Sequence, residues 1–286
     1  MQSLLAFSLL WARVALGFYL AGWAAAVVAA LLKEQVQQNA VFGLARAAVA
    51  TGFLFQFVSL VESVSSVTPQ SDVYRILTGL LALVIAAFFL MVYRAWSPRP
   101  LSLVVMPIIC LVAAAATLAP VAAVGGPSPM ARSLLHNGWI FLHIVLIFLG
   151  YAGLVVAVGS GLLYLIAERG LKSKLRLRTP GRLLPSLERL DLISYRSLLV
   201  GFPLLSGGLV IGIYWADALF GRVALGDPTV LLALLAWSIY LVLLFARWSA
   251  GWRGRRSAYL TLVCFGLALA GWFANGMSQV HSMFLK

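Results

Sequence analysis

Residues 139–166 read WIFLHIVLIFLGYAGLVVAVGSGLLYLI. The stretch holds no Asp, Glu, Lys or Arg, and one imidazole, His143. Its apolar residues do not alternate with polar ones, as they do in the strands of a membrane barrel. They fill every face, which a helix tolerates in lipid, where its backbone satisfies itself. As a helix the stretch rises about 42 Å, more than the ~30 Å hydrocarbon core of a bilayer. Seven more runs of this kind lie at about 14–32, 41–63, 76–96, 101–124, 196–217, 229–246 and 257–279. The expected fold is therefore all-α: a polytopic membrane bundle of about eight transmembrane helices.

Composition agrees. Of 286 residues, 63% belong to the AVILMFWYC set and 10% are charged. A soluble domain has about 45–50% apolar and about 25% charged residues, so this chain lacks the polar groups to cover a globular surface. Disorder is excluded as well, because disordered chains are poor in apolar residues. The net charge of +13 would suggest nucleic acid in a soluble protein. Here the cations sit between apolar runs, where they set orientation and meet anionic lipid, so no nucleic-acid partner is expected. The two cysteines, Cys110 and Cys264, lie inside apolar runs at no metal-binding spacing and read as small core residues. The N-terminus lacks a basic region followed by a small-residue cleavage site, so no removable signal peptide is expected.

The basic residues are divided unequally. One set of connections holds Lys33, Arg94, Arg99, seven cations within 168–194, and Arg247, Arg253, Arg255 and Arg256. The alternate set holds Arg75, Arg132, Arg222 and Lys286. The positive-inside rule places the first set in the cytoplasm. Both termini then fall outside, as an even number of spans requires. Arg46 and Arg196 stand near helix ends and are expected to snorkel, and Arg13 is expected to anchor at the interface ahead of the first span. The 168–194 connection carries Pro180, Gly181 and Pro185, which argue against one continuous helix. It reads as a topogenic loop or a partner-binding surface.

Three histidines, His136, His143 and His281, fall on the outer side in this topology. A neutral imidazole is a good axial ligand for haem iron. His136 and His143 are about 10 Å apart along one helix axis, too far for one iron, whereas a pair from different helices grips a planar ligand from two sides. The other reading is of interfacial imidazoles that only hydrogen-bond. Asp217 and Asp227 bracket the outer connection before the seventh run. Asp227 followed by Pro228 has the form of a helix N-cap with proline at the first helical position, and a carboxylate beside an outer ligand is the alternative. Gly207, Gly208 and Gly212 read as sites of close helix packing. No catalytic triad order, phosphate loop or HExxH is present.

Several stretches resemble the membrane haem-handling proteins of cytochrome c assembly, the CcsA/ResC type. Leu190-Asp191-Leu192-Ile193-Ser194-Tyr195-Arg196 with Gly201-Phe202-Pro203 resembles that family's LDxLSYR…GFP. Gly251-Trp252-Arg253-Gly254-Arg255-Arg256 resembles GWRGRR, and Asn275 to Ser282 resembles the ending VNxxGxGLHSY. His143-Ile144-Val145 followed by Gly150-Tyr151-Ala152 is similar to HVxxxxxSYA. The similarity runs through about 135–285, which divides the chain into an N-terminal transmembrane region, 1–130, and an assembly-like transmembrane domain, 131–286.

The resemblance implies haem binding at the outer face, with His143 and His281 as axial ligands. It implies a tryptophan-rich outer loop against the haem, whose closing Asp-Pro aligns with Asp227-Pro228. It also implies apocytochrome c and an assembly partner protein as partners, in a bacterial inner (plasma) membrane, with no independent catalytic centre. The chain departs from that pattern in places. Ala224 and Gly226 stand where tryptophans belong, Phe245 stands at an inner-histidine position, and no histidine precedes residue 136. The cofactor expectation is accordingly at most one haem b. The alternatives are a HemX-like membrane regulator of haem synthesis that carries no haem, and a small-solute transporter.

Overall fold

The computed structural model describes residues 2–65, 73–118, 137–172, 185–220 and 227–274, with side chains described throughout those ranges except at 2–6, 65 and 219–220. They form eight α-helices and, among the described residues, no strand: α1 (Gln2–Leu31), α2 (Gln35–Ser65), α3 (Val73–Trp96), α4 (Leu101–Leu118), α5 (Gly138–Lys172), α6 (Leu187–Phe220), α7 (Pro228–Ser249) and α8 (Arg255–Ala274). All eight are long and apolar enough to cross a membrane.

The helices overrun several expected ends. The first span begins at Phe7, so Arg13 lies within it and not ahead of it. Its side chain is exposed, and its aliphatic stem lets the helix continue through the charge. The segment 168–194 also shrinks. Helix α5 continues to Lys172 and α6 starts at Leu187, while Pro180 and Gly181 lie outside the described residues.

The tight turns are chemically specified. Between α1 and α2, the buried Gln38 donates from Nε2 to the Leu32 carbonyl at 2.6 Å, which satisfies a helix-end acceptor. Between α7 and α8, Gly251 and Gly254 take φ of +63° and +68°. The backbone N–H groups of Ala250 and Trp252 both donate to the Ala246 carbonyl, which ties the turn back onto the last turn of α7.

Two apolar clusters share α5. One joins α1–α4 to Phe148, Ala152, Val155 and Val156 of α5. The other joins Leu154, Ala157 and Val158 to α6, α7 and α8. Helices α5 and α6 touch backbone to backbone. A Cβ added at Gly153 would lie 2.8 Å from the Ser197 carbonyl, and one at Gly150 would lie 2.7 Å from the Leu205 Cβ. Small residues permit this approach, as in lipid-embedded helix pairs generally. At the opposite end of α6 from Phe220, Arg189 donates to the Trp96 carbonyl at the close of α3, and the Arg196 guanidinium lies 4.5 Å from the Trp96 ring centroid.

Candidate functional site

His143 sits near the start of α5, and α6 forms its seat. Its Nδ1 lies 2.6 Å from the Gly208 carbonyl oxygen. A carbonyl only accepts, so Nδ1 carries the proton and Nε2 keeps its lone pair. One turn further along α6, a Cβ at Gly212 would lie 2.5 Å from His143 Cε1 and 2.8 Å from Nδ1. The missing side chain is what admits the ring. Gly208 does the same for Ile147, whose Cδ1 would meet a Cβ at 2.8 Å. The packing expectation for Gly208 and Gly212 thus becomes a positioning role for the imidazole.

The ring is only partly buried. With the hydrocarbon centred on the middle of α5, His143 lies about 18 Å from the bilayer centre, at the interface. Trp139 on α5 and Tyr214 on α6 are exposed near it, amphipathic rings of the kind enriched at that depth. Helix α8 reaches the same end: Trp272 packs on Phe148 at a centroid distance of 6.2 Å. Among the described residues, no three His, Cys, Asp or Glu side chains cluster as a metal-ion site. One oriented imidazole with a free Nε2 instead has the chemistry of a haem-iron ligand, for which a carbonyl partner on the other ring nitrogen is the usual support.

Asp227 caps α7 as its sequence suggests. Its Oδ1 accepts from the N–H of Thr229 at 3.0 Å and of Val230 at 3.4 Å, with Pro228 at the first helical position. The carboxylate is therefore engaged with the helix start. Asp217 is exposed near the end of α6. His136, His281, Arg222, Ala224 and Gly226 lie outside the described residues.

Residue-by-residue reading missed one cluster, at the other end of the bundle. Arg247, grouped with loop cations above, belongs to α7 and is buried. It forks onto the Asp191 carboxylate, donates to the Asp191 carbonyl at 3.2 Å and to Ser257 Oγ at 3.1 Å, and stacks 4.4 Å from the Tyr195 ring centroid. Gly254 N–H donates to Asp191 Oδ1 at 3.0 Å. The stretches LDLISYR and GWRGRR, quoted above for their resemblance, thus meet as a clamp joining α6, α7 and the turn into α8. The signal was Asp191, one of only eight acids in the chain, set in a helix and in need of a cation.

A family described as "Cytochrome C assembly protein" matches residues 11–281. The chain is 31% identical over 174 residues to the cytochrome c biogenesis protein CcsA of Parasynechococcus marenigrum (strain WH8102), covering 49% of this chain and 57% of that protein. It is 28% identical over 222 residues to CcsA of Heterosigma akashiwo (strain NIES-293 / 8280G21-1), covering 67% and 68%. It is 32% identical over 146 residues to CcsA of Chlamydomonas reinhardtii, covering 51% and 39%. The chain thus spans little more than half the length of the first of these relatives. No solved structure gives a significant match. Eight membrane-crossing helices, an imidazole seated at one end, and a match that runs from α1 to the C-terminal stretch make this integral membrane chain a member of the cytochrome c assembly protein family.

Proposed function

We propose that this protein handles haem in cytochrome c maturation, holding one haem b at the outer face and presenting it to apocytochrome c with an assembly partner protein. In this reading His143 and His281 are the residues that would hold its iron. Asp227 fixes where the outer connection enters α7 and so orients that connection beside the haem. The observation that carries the reading is the seating of His143 on α6, which leaves Nε2 unprotonated at the partly exposed end of α5. The packing of Trp272 on Phe148 supports it, because α8 then runs beside α5 and ends at Ala274, seven residues before His281. The orientation proposed is both termini outside, in a bacterial inner membrane.

The chain's own residues do limited work here. They would hold the haem iron, set interfacial aromatics beside it, and keep the imidazole tautomer fixed. Attachment to the cytochrome thiols falls to the assembled complex.

The test is an absorption spectrum of the purified full chain after expression with haem supplied. His143→Ala and His281→Ala are each expected to lose most bound haem or to shift the Soret band, whereas His136→Ala leaves it unchanged. A wild-type protein free of haem, or both variants with an unaltered spectrum, overturns the ligand assignment. That outcome favours the HemX-like reading, which the replaced loop tryptophans (Ala224, Gly226) and the absence of any histidine before residue 136 support.

A further inference from the structure

The junction between the end of α5 and the start of α8 holds a groove lined by Glu168, Arg169, Lys172 and Arg255. Among the described residues Glu168 is its only carboxylate, and it is divided between two cations. One oxygen lies 2.7 Å from Lys172 Nζ and the other 3.4 Å from Arg255 Nε. Three cations against one carboxylate leave the groove positive. The guanidinium of Arg255 is also 5.9 Å from the Tyr259 ring centroid. Two guanidiniums and an ammonium thus line one groove around a single carboxylate, an arrangement in which an anionic oxygen would offset the excess charge.

The surroundings are those of a lipid and not of a soluble ion. With the hydrocarbon centred on α5, Arg169 lies about 21 Å from the bilayer centre, just beyond the edge of the ~30 Å core. Toward that core, Ile166 on α5 and Val263 on α8 are half exposed below the cations. Cations that only set topology need to stay in water; they have no need to converge from two helices above a pair of exposed apolar side chains.

We propose that this groove binds the phosphodiester headgroup of an anionic phospholipid. Arg169, Lys172 and Arg255 meet the phosphate, and the acyl chains run against Ile166 and Val263. Glu168 holds Lys172 and Arg255 on the two sides of the groove. The bound lipid would brace the α5–α8 junction beside the turn in which Gly254 reaches Asp191.

The test uses the full chain in nanodiscs of phosphatidylcholine alone or phosphatidylcholine with phosphatidylglycerol. Two quantities are measured: the thermal midpoint, and phosphatidylglycerol retained on the detergent-extracted protein by native mass spectrometry. Phosphatidylglycerol is expected to raise the midpoint and to be retained. R169Q/R255Q should lose most of both effects, R169K/R255K should keep most, and K33Q, in another connection, should keep all. Each variant is compared with itself in phosphatidylcholine, so any cost of breaking the Glu168 pair cancels. If R169Q/R255Q is not recovered, R169Q alone decides on the same readouts. Inorganic phosphate added to phosphatidylcholine discs should do nothing. The proposal is overturned by an undiminished phosphatidylglycerol effect in R169Q/R255Q, by an equal loss in K33Q, or by inorganic phosphate reproducing the rise.

Discussion

Gly212 tests the seat of His143 more sharply than substitution of the histidine itself. A methyl group there would lie 2.5 Å from Cε1 and 2.8 Å from Nδ1, so the ring must turn and lose the Gly208 carbonyl. Gly212→Ala is expected to lower the bound haem fraction and move the Soret band. Gly207→Ala, whose Cβ would meet only Leu146 at 3.7 Å, should alter neither. An unchanged spectrum in Gly212→Ala shows that the imidazole does not depend on this seat. The candidate residue His143 was legible from its position in an apolar run and from the similarity to HVxxxxxSYA. Its partner was not. Gly208 acts through its backbone carbonyl, which leaves no mark on residue identity, and the contact joins positions 65 apart in the chain. Asp227 was legible in full as a cap, because Asp-Pro before an apolar run encodes the cap locally.

The helix ends show where element-level reading succeeds and fails. Runs of apolar residues placed all eight helices, since in lipid a helix needs little else. Their boundaries drifted because polar residues can continue a helix into the headgroup region: α5 passes through Glu168 and Arg169 to Lys172, and α6 begins before Asp191. The same habit hid the clamp, for Arg247 looks like any loop cation until α7 carries it against Asp191. Arg247→Leu leaves the Asp191 carboxylate without its cation in a mostly buried place and should cost about 3–5 kcal/mol, read as a fall in the denaturant midpoint of the detergent-solubilised protein. Arg247→Lys should restore only part of this, since an ammonium lacks the fork that spans both carboxylate oxygens. The double variant Asp191→Leu/Arg247→Leu should cost less than the two single changes added together. Additive losses would show that the two residues do not act as a pair.

For the whole molecule, the division of cations predicts the orientation. A reporter active only outside the cytoplasm, fused after Lys286, is expected to be active; fused within 173–184, it is expected to be silent. The opposite pattern would invert the bundle and place His143 on the cytoplasmic side. Stoichiometry follows from the residues available. With no histidine before residue 136 and Phe245 where the family resemblance would have an inner histidine, pyridine haemochrome analysis is expected to give no more than one haem per chain. A value near two would mean that other side chains ligate. The bundle and its all-helical class were legible from composition and run length, whereas which helices press together was not. That depends on glycines such as Gly150, Gly153 and Gly201 coming face to face, and a glycine in an apolar run carries no label for its partner.

The glycine contact of α5 and α6 has a mechanical corollary. With Gly153 against the Ser197 carbonyl and Gly150 against Leu205, these two helices pack backbone to backbone as a single post. The described side-chain contacts between α6 and α7 all lie from the middle of the bundle toward the clamp: Trp237 donates to Ser206, Tyr240 donates to the Leu198 carbonyl, and Arg247 holds Asp191. Helix α7 is thus fastened to the post along its far half.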